Sequence, residues 1–200
     1  MKDDDIFYFY IHGIGCHRFV KAEEQHAKVA KTKNVKILCN PSFYKSMYSV
    51  FKQFIGVHPD VHTDKYIQQV FMEIIAKSKV FKKIIVAGHS YGGGVVSAVA
   101  EACNKIPLVA DNIHFYTFGS IYIPPHYKTK NIHITHFLQK NDIAIRCNRI
   151  CQETTLNTNI VWVPSTISKE EKGKYITEYI LGTSHEWASH LDYILFIGDF

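Results

Sequence analysis

One junction constrains the fold of this chain more than any other part of its sequence. The apolar run 84–87 (IIVA) leads directly into the pentapeptide GHSYG at residues 88–92, and a stretch of small residues follows it to residue 98. The first run is typical of a buried strand, and the second is typical of a closely packed helix. A G-x-S-x-G pattern in this context predicts a sharp strand-to-helix turn that strains the serine and exposes its hydroxyl.

The rest of the chain alternates in the same way. Short runs rich in β-branched and aromatic residues predict strands at 6–11, 35–38, 84–87, 113–118, 132–138 and 160–163. Helical patterns lie between or after them, at 20–31, 43–55, 64–77, 91–103, 169–180 and 186–196. This alternation predicts an α/β fold with a mainly parallel sheet and helices on both faces. The reactive residues of such folds lie on loops at the carboxyl ends of the strands.

The composition is that of one globular domain spanning residues 1–200. Of the 200 residues, 46% are hydrophobic and 20% are charged, which suits one core and is too little for two ordinary domains. The formal charge of +5 comes from 23 basic residues scattered among 18 acidic ones. Nucleic-acid-binding proteins concentrate their basic residues on one face, so nucleic acid is not an expected partner. A weak attraction to anionic membrane surfaces is compatible with the charge.

The ends of the chain and its cysteines indicate a cytoplasmic protein. The acidic start, MKDDD, differs from the basic region of a secretory signal, and no run of about eighteen apolar residues is present. The five cysteines are odd in number and lack the paired spacing of a zinc site. Free thiols in a reducing compartment are therefore expected, with no metal or cofactor.

Ser90 is the predicted nucleophile. A serine hydroxyl attacks an acyl carbon only when a base removes its proton, and a third group must orient that base. In folds with this turn, the acid and then the histidine follow the serine along the chain. Asp142, just after the strand 132–138, is favoured as the acid. Asp111 starts a strand at the wrong end of the sheet, and Asp192 falls within the last predicted helix.

The base is expected near the end of the chain. His190 is favoured over His185 because the apolar stretch 191–196 would anchor it against the core. His185 then becomes a residue that lines the pocket or supports the base. Several histidines precede Asp142 and violate the expected order, so we predict no catalytic role for them: His114, His126, His133 and His136.

Two backbone amides are expected to stabilise the negatively charged oxygen that forms during acyl transfer. One belongs to Tyr91, which directly follows the nucleophile. The other is assigned to Ile14, in the loop HGIG at residues 12–15 that follows the first predicted strand. The start of the helix after Ser90 adds the positive end of its dipole to this oxyanion hole.

Four short motifs, in one order, resemble those of the class 3 lipases, the family that includes the fungal triacylglycerol lipases. GHSYGG at 88–93 is similar to the family's GHSLGG turn, and TFG at 117–119 matches a strand end. The start of an NDIVP acid loop resembles the NDI that contains Asp142, and an HLxYF segment resembles HLDYI from His190. The resemblance spans roughly residues 80–195. It implies an α/β-hydrolase fold, reduced in size, with Ser90, Asp142 and His190 as the triad.

The chain departs from this family at several points. The proline usual after the TFG strand end is absent, since Ile121 follows Ser120, and Ala144 replaces the proline of the acid loop. The chain is also shorter than typical members and lacks their early strands. Its 12–15 loop resembles the HGxG loop of broader lipase and esterase families. These departures leave the substrate open.

The pattern predicts a serine hydrolase that cleaves acyl esters, such as acylglycerols or phospholipids, through an acyl-enzyme. An acyltransferase or thioesterase that uses the same triad is an alternative. A catalytically idle hydrolase fold that serves as a binding module is another. The presence of serine, acid and base in the expected order favours an enzyme over the binding module.

The predicted helix 43–55 allows two interpretations. Its apolar residues lie on one helical face, and its two lysines, Lys45 and Lys52, lie elsewhere. Such a face usually packs against a core. The alternative is a lid or a lipid-contacting segment over residues 41–60, which would make peripheral contact with a membrane. The residues of this face are Phe43, Met47, Phe51, Phe54 and Ile55.

Overall fold

A computed structural model of the chain describes residues 5–14, 34–40, 42–55, 57–106, 111–139, 142 and 159–163. The strands in these ranges are β1 (Ile6–Ile11), β2 (Val35–Leu38), β3 (Lys83–His89), β4 (Ile113–Phe118), β5 (His133–Gln139) and β6 (Ile160–Val163). The helices are α1 (Phe43–Phe54), α2 (Lys65–Ser78) and α3 (Tyr91–Cys103), with a short 3-10 helix at His126–Lys128. All six predicted strands are confirmed. The predicted helices at 20–31, 169–180 and 186–196 lie outside the described residues.

β3 is longer than its apolar run predicts. It continues through Gly88 and His89, because His89 still pairs with Phe118 at the end of β4. The sequence pattern placed these two residues in the turn. The strand therefore ends immediately before Ser90, and the whole change of direction falls on one residue.

The six strands form one sheet in which each hydrogen-bonded neighbour is parallel, in the order β2-β1-β3-β4-β5-β6. This architecture confirms the α/β-hydrolase fold in a reduced form. The chain passes from β1 to β2 on one side and then returns to β3 on the other side of β1. The loops after β1 and β3 therefore leave the sheet in opposite directions, and such switch points open a crevice at the carboxyl ends of parallel strands.

One face of the sheet packs against α2 and α3. Each of these helices presents a continuous apolar side to the strands, and the burial of these side chains is the main stabilising contribution to this part of the fold. Asp64 caps α2, since its carboxylate accepts hydrogen bonds from the amides of Tyr66 and Ile67. The core includes Phe9, Ile84, Val86, Ile113 and Phe115 from the strands, with Ile67 and Ile74 from α2 and Val95 and Val99 from α3.

The opposite face of the sheet is also covered. Tyr8 and Tyr10 of β1 are fully buried there beside Ala87 and Phe118. Burial raises the pKa of the Tyr8 and Tyr10 phenols well above its usual range. A sheet buried on both faces agrees with the near-continuous apolar runs from which its strands were predicted.

None of the helices within the described ranges has both the length and the apolar character needed to cross a bilayer.

Candidate active site

Ser90 lies at the turn between β3 and α3 with a strained backbone. Its φ is 55° and its ψ is −119°, and it alone among the described non-glycine residues has a positive φ. Such a conformation costs free energy and persists only where the surroundings enforce it. The amide of Ser90 donates to the carbonyl of Phe118 at 3.0 Å, and its own carbonyl accepts from the amide of Gly94 at 3.2 Å. The predicted sharp turn is thus present in the structure.

Two close approaches bring the end of β1 against this turn. A Cβ at Gly92 would overlap the carbonyl oxygen of Ile11, so that only glycine fits at the start of α3. A Cβ at Gly13 would lie 3.3 Å from the Cβ of Ser90. The loop after β1 therefore touches the serine, as the switch point in the strand order requires.

The two predicted oxyanion-hole residues lie in the segments that meet at this contact between Gly13 and Ser90. Tyr91 is the first residue of α3, where backbone N–H groups have no partner within the helix. Ile14 comes one residue after Gly13, and its side chain packs against the core beside α3. Tyr91 directly follows Ser90, and Ile14 directly follows Gly13, the residue that approaches Ser90. Their role as oxyanion donors stays a prediction.

Asp142 comes three residues after the last residue of β5 and is fully buried. It has an interaction partner within the protein, as expected for a carboxylate that is removed from water. The rejected carboxylate Asp111 is exposed and lies just before β4, at the amino end of the sheet. The position of Asp142 after the carboxyl end of β5 agrees with the predicted acid loop, and its role as the acid stays a prediction. His190 and His185 lie outside the described residues, and so does Asp192.

Two of the histidines that precede Asp142, His114 and His136, have lowered pKa values. His136 of β5 is fully buried and shares a hydrogen bond of 2.7 Å with Thr117, and burial lowers its pKa to about 3. The ring of His114 stacks on that of His133 at 4.8 Å. Burial, with nearby Lys83 and His133, lowers the pKa of His114 to about 4. Groups with such low pKa values are poor proton acceptors at neutral pH.

The side chain of Tyr91 has a place in the structure that its sequence context did not predict, since only its amide was assigned a role. The phenol is fully buried and accepts a hydrogen bond of 3.2 Å from the side-chain amide of Asn40. Burial raises the pKa of Tyr91 to about 12. Asn40 follows the carboxyl end of β2. A polar residue at this edge of the sheet was the sequence signal that could have pointed to a contact with the turn region.

Within the described residues, no group of three or more histidine, cysteine, aspartate and glutamate side chains is placed to hold a metal ion.

Known structures resemble this chain in architecture. A lipase-esterase related protein from Clostridium acetobutylicum is 16% identical, with 88% of this chain and 93% of that chain covered and a TM-score of 0.47. LpqC, a poly(3-hydroxybutyrate) depolymerase from Bordetella parapertussis, is 10% identical, with 95% and 85% covered and a TM-score of 0.49. A Trichoderma reesei cutinase is 11% identical, with 75% and 72% covered and a TM-score of 0.41.

At these identities the likeness concerns the arrangement of strands and helices, and it does not extend to activity. The sequence matches no family model and no curated protein. The resemblance to class 3 lipases therefore stays a prediction from the four motifs.

Proposed function

We propose that this protein is a serine hydrolase that cleaves carboxylic esters of acyl compounds, with Ser90 as its nucleophile. The observation that carries the proposal is the backbone of Ser90, at φ 55° between a strand and a helix, with the loop after β1 packed against it. A structural serine at this point would gain nothing from the strain, whereas a nucleophile gains an exposed hydroxyl beside the start of a helix.

The proposed reaction begins with transfer of the Ser90 proton to His190 as the serine oxygen attacks the acyl carbon. The amides of Tyr91 and Ile14 hold the oxygen that becomes negative, each lowering the barrier by on the order of 3 kcal/mol. Collapse of this intermediate breaks the ester bond, and His190 returns the proton to the departing alcohol. Water then hydrolyses the acyl-enzyme by the same steps, with Asp142 orienting His190 throughout.

The proposed substrates are lipid-like acyl esters, such as acylglycerols or phospholipids. Support for this class comes from the four motifs that resemble those of class 3 lipases. We place the chain as a distant, shortened relative of that family on the same grounds.

A fluorophosphonate probe tests the nucleophile directly, because it labels activated serines covalently. We expect labelling of the wild-type chain and none of Ser90→Ala. Ser97→Ala is the matched control, since Ser97 lies on the same helix and donates a hydrogen bond of 2.9 Å to the carbonyl of Tyr122. Labelling that persists in Ser90→Ala would remove Ser90 from its proposed role.

Hydrolysis of p-nitrophenyl esters of increasing chain length then tests the reaction and the substrate class. We expect turnover that depends on Ser90 and rises with acyl length. Labelling at Ser90 without hydrolysis would instead favour an acyltransferase. A folded protein that is neither labelled nor active would be a binding module.

A further inference from the structure

Helix α1 turns its polar side toward the protein and its apolar side toward solvent. Ser46 and Gln53 are each only 2% exposed. In contrast, six large apolar or aromatic side chains of α1 and its end are between 46% and 84% exposed. A surface helix ordinarily has the opposite orientation, so the interpretation that this face packs against the sheet is wrong. The exposed residues are Phe43, Tyr44, Met47, Tyr48, Phe51 and Ile55.

The inward side of α1 is polar and incompletely satisfied. The hydroxyls of Ser46 and Ser49 lie near the buried phenol of Tyr91, and Ser46 donates a hydrogen bond of 3.0 Å to the carbonyl of Ser42. The amide of Gln53 packs over Gly94 of α3, where an added Cβ would lie 2.8 Å from its oxygen. Neither the nitrogen nor the oxygen of that amide has a hydrogen-bond partner. Among the described side chains of α1, Val50 packs against the core, while most of the large apolar side chains stay outside it and the amide of Gln53 is buried unpaired.

The outward side forms one continuous surface. Phe43, Met47, Phe51 and Ile55 follow one another at intervals of four residues along the helix, and Val57 continues the surface at 47% exposure. Exposed apolar residues elsewhere, such as Met72, are separated from this surface along the chain. A contiguous exposed apolar surface marks an interaction site more often than scattered residues do.

Basic residues border this surface. Lys45, Lys52 and Lys65 line a groove of about 640 Å³ between α1 and the start of α2. Two carboxylates, Asp60 and Asp64, also line the groove and offset part of the charge of the three lysines. Helix α1 itself contains no acidic residue. The ammonium groups therefore outnumber the carboxylates, and they lie beside the side chains of Tyr48 and Val57 in the groove.

We propose that α1 docks the protein on an anionic lipid bilayer. Its apolar face would enter the boundary between headgroups and acyl chains, and the three lysines would contact lipid phosphates. A strong division into an apolar face and a basic border, rich in aromatic residues, is the pattern of helices that lie in a membrane interface. The attraction of lysines to anionic lipids accounts for the composition of the border.

A second copy of this chain is a less suitable partner for the same face. A symmetric pair of α1 helices would bring Lys45 and Lys52 of both copies together, with no acidic residue on the helix to offset them. An anionic bilayer complements those charges. Because α1 contacts Tyr91 and Gly94 of the nucleophile-bearing helix, docking would also hold the candidate site near a lipid surface. This last consequence rests on the proposed function, whereas the docking itself does not.

Flotation of the full chain with vesicles tests the docking. One set contains phosphatidylcholine alone, and the other mixes it with phosphatidylserine. We expect binding to the mixed vesicles that falls by about tenfold or more in Met47→Ser/Phe51→Ser, as loss of buried apolar area predicts. The matched control is Met72→Ser/Val80→Ser, which changes two residues of similar exposure, 60% and 75%, on and beyond α2. It should bind as the wild type does.

Lysine substitutions test the electrostatic contribution. Lys45→Gln/Lys52→Gln should lose the preference for phosphatidylserine, and Lys79→Gln/Lys130→Gln should keep it. Tyr44→Ser changes a side chain that is 84% exposed, so it should weaken vesicle binding without affecting folding. It therefore tests the role of the apolar face even where the double variant folds poorly. Equal vesicle binding by the wild type, Tyr44→Ser and Met47→Ser/Phe51→Ser would overturn the proposal.

Two further outcomes keep the alternatives apart. A chain that is dimeric by light scattering, becomes monomeric in Met47→Ser/Phe51→Ser and binds no vesicles would identify a second copy as the occupant and overturn docking on lipid. Ser90→Ala should bind vesicles as the wild type does, and Met47→Ser/Phe51→Ser should still be labelled by the fluorophosphonate without vesicles. Failure of docking and failure of the hydrolase proposal are therefore distinguishable.

Discussion

The amide of Ser90 donates a hydrogen bond of 3.0 Å to the carbonyl of Phe118, which ties the turn after β3 to the last residue of β4. The bond helps to hold a serine at φ 55°, a conformation that residues with a Cβ rarely adopt. The neighbouring strand, rather than the turn alone, therefore maintains the strain. This strain has a measurable effect on stability.

Ser90→Gly should stabilise the folded protein by roughly 1 kcal/mol, because glycine adopts a positive φ without the clash of a Cβ. It should also abolish labelling by a fluorophosphonate. Ser90→Ala removes the same hydroxyl but keeps the Cβ, so its free energy of unfolding should stay close to that of the wild type. Urea titration of both variants makes the comparison. Equal stability of the two would contradict the interpretation that the backbone of Ser90 is strained.

Gly92→Ala should destabilise the protein by about 3 kcal/mol or more, because the new methyl group overlaps the backbone of β1. Gly94→Ala lies on the same helix, but its methyl group would meet only the flexible end of Gln53. That control should change stability by no more than about 1 kcal/mol. Thermal or urea unfolding measures both, and similar values for the two would contradict the close approach of Ile11 to Gly92.

Asp142→Asn should lower ester hydrolysis by about a thousandfold or more if Asp142 orients the base. Asp111→Asn, at the exposed carboxylate near the opposite end of the sheet, should leave hydrolysis unchanged. The measurement is kcat, accompanied by a melting curve to separate loss of activity from loss of fold. A folded Asp142→Asn with wild-type kcat would assign the role to another acid.

His190→Gln should abolish hydrolysis and slow labelling by the fluorophosphonate, since the proposed mechanism leaves Ser90 without a base. His185→Gln should retain most of the activity, as expected of a residue that only lines the pocket. Rates of probe labelling compare the two at equal protein concentration. The reverse result would exchange the roles of these histidines.

The buried His136 should make stability depend on pH. Its pKa falls from 6.5 to about 3 on folding because of burial, so the unfolded chain binds the extra proton between these values. The free energy of unfolding is therefore highest above pH 6.5 and decreases as the pH falls toward 3. This effect alone makes folding about 2 kcal/mol less favourable near pH 5 than near pH 7.

His136→Gln removes this titration. The difference between its unfolding free energies at the two pH values should be smaller than that of the wild type, whatever the substitution does to absolute stability. Urea titrations of the wild type and His136→Gln at pH 5 and pH 7 give the four free energies of unfolding. An unchanged difference would show that His136 titrates normally in the folded chain.

Much of the fold was predictable because its signals are local. The central strands β1 and β3 are almost entirely buried and must therefore be apolar along their length. The edge strands β2 and β6 were marked by their β-branched and aromatic residues, although part of each is exposed. The turn at Ser90 was predictable for a similar reason, since a strand, a pair of glycines and a helix of small residues are adjacent in the chain. The end of β3 was predicted less accurately, because the pairing of His89 with Phe118 depends on a strand that comes much later in the chain.

Periodicity and short-range sterics were enough to predict the order of strands and helices along the chain, the turn at Ser90 and the division of α1 into an apolar and a polar side. The side of α1 that faces the protein became known from the folded structure alone. Periodicity defines two faces of a helix, but the direction of each depends on what it packs against. Here the partner is the phenol of Tyr91, which hydrogen-bonds Asn40, 51 positions away in the chain, and no local pattern encodes a contact at that separation.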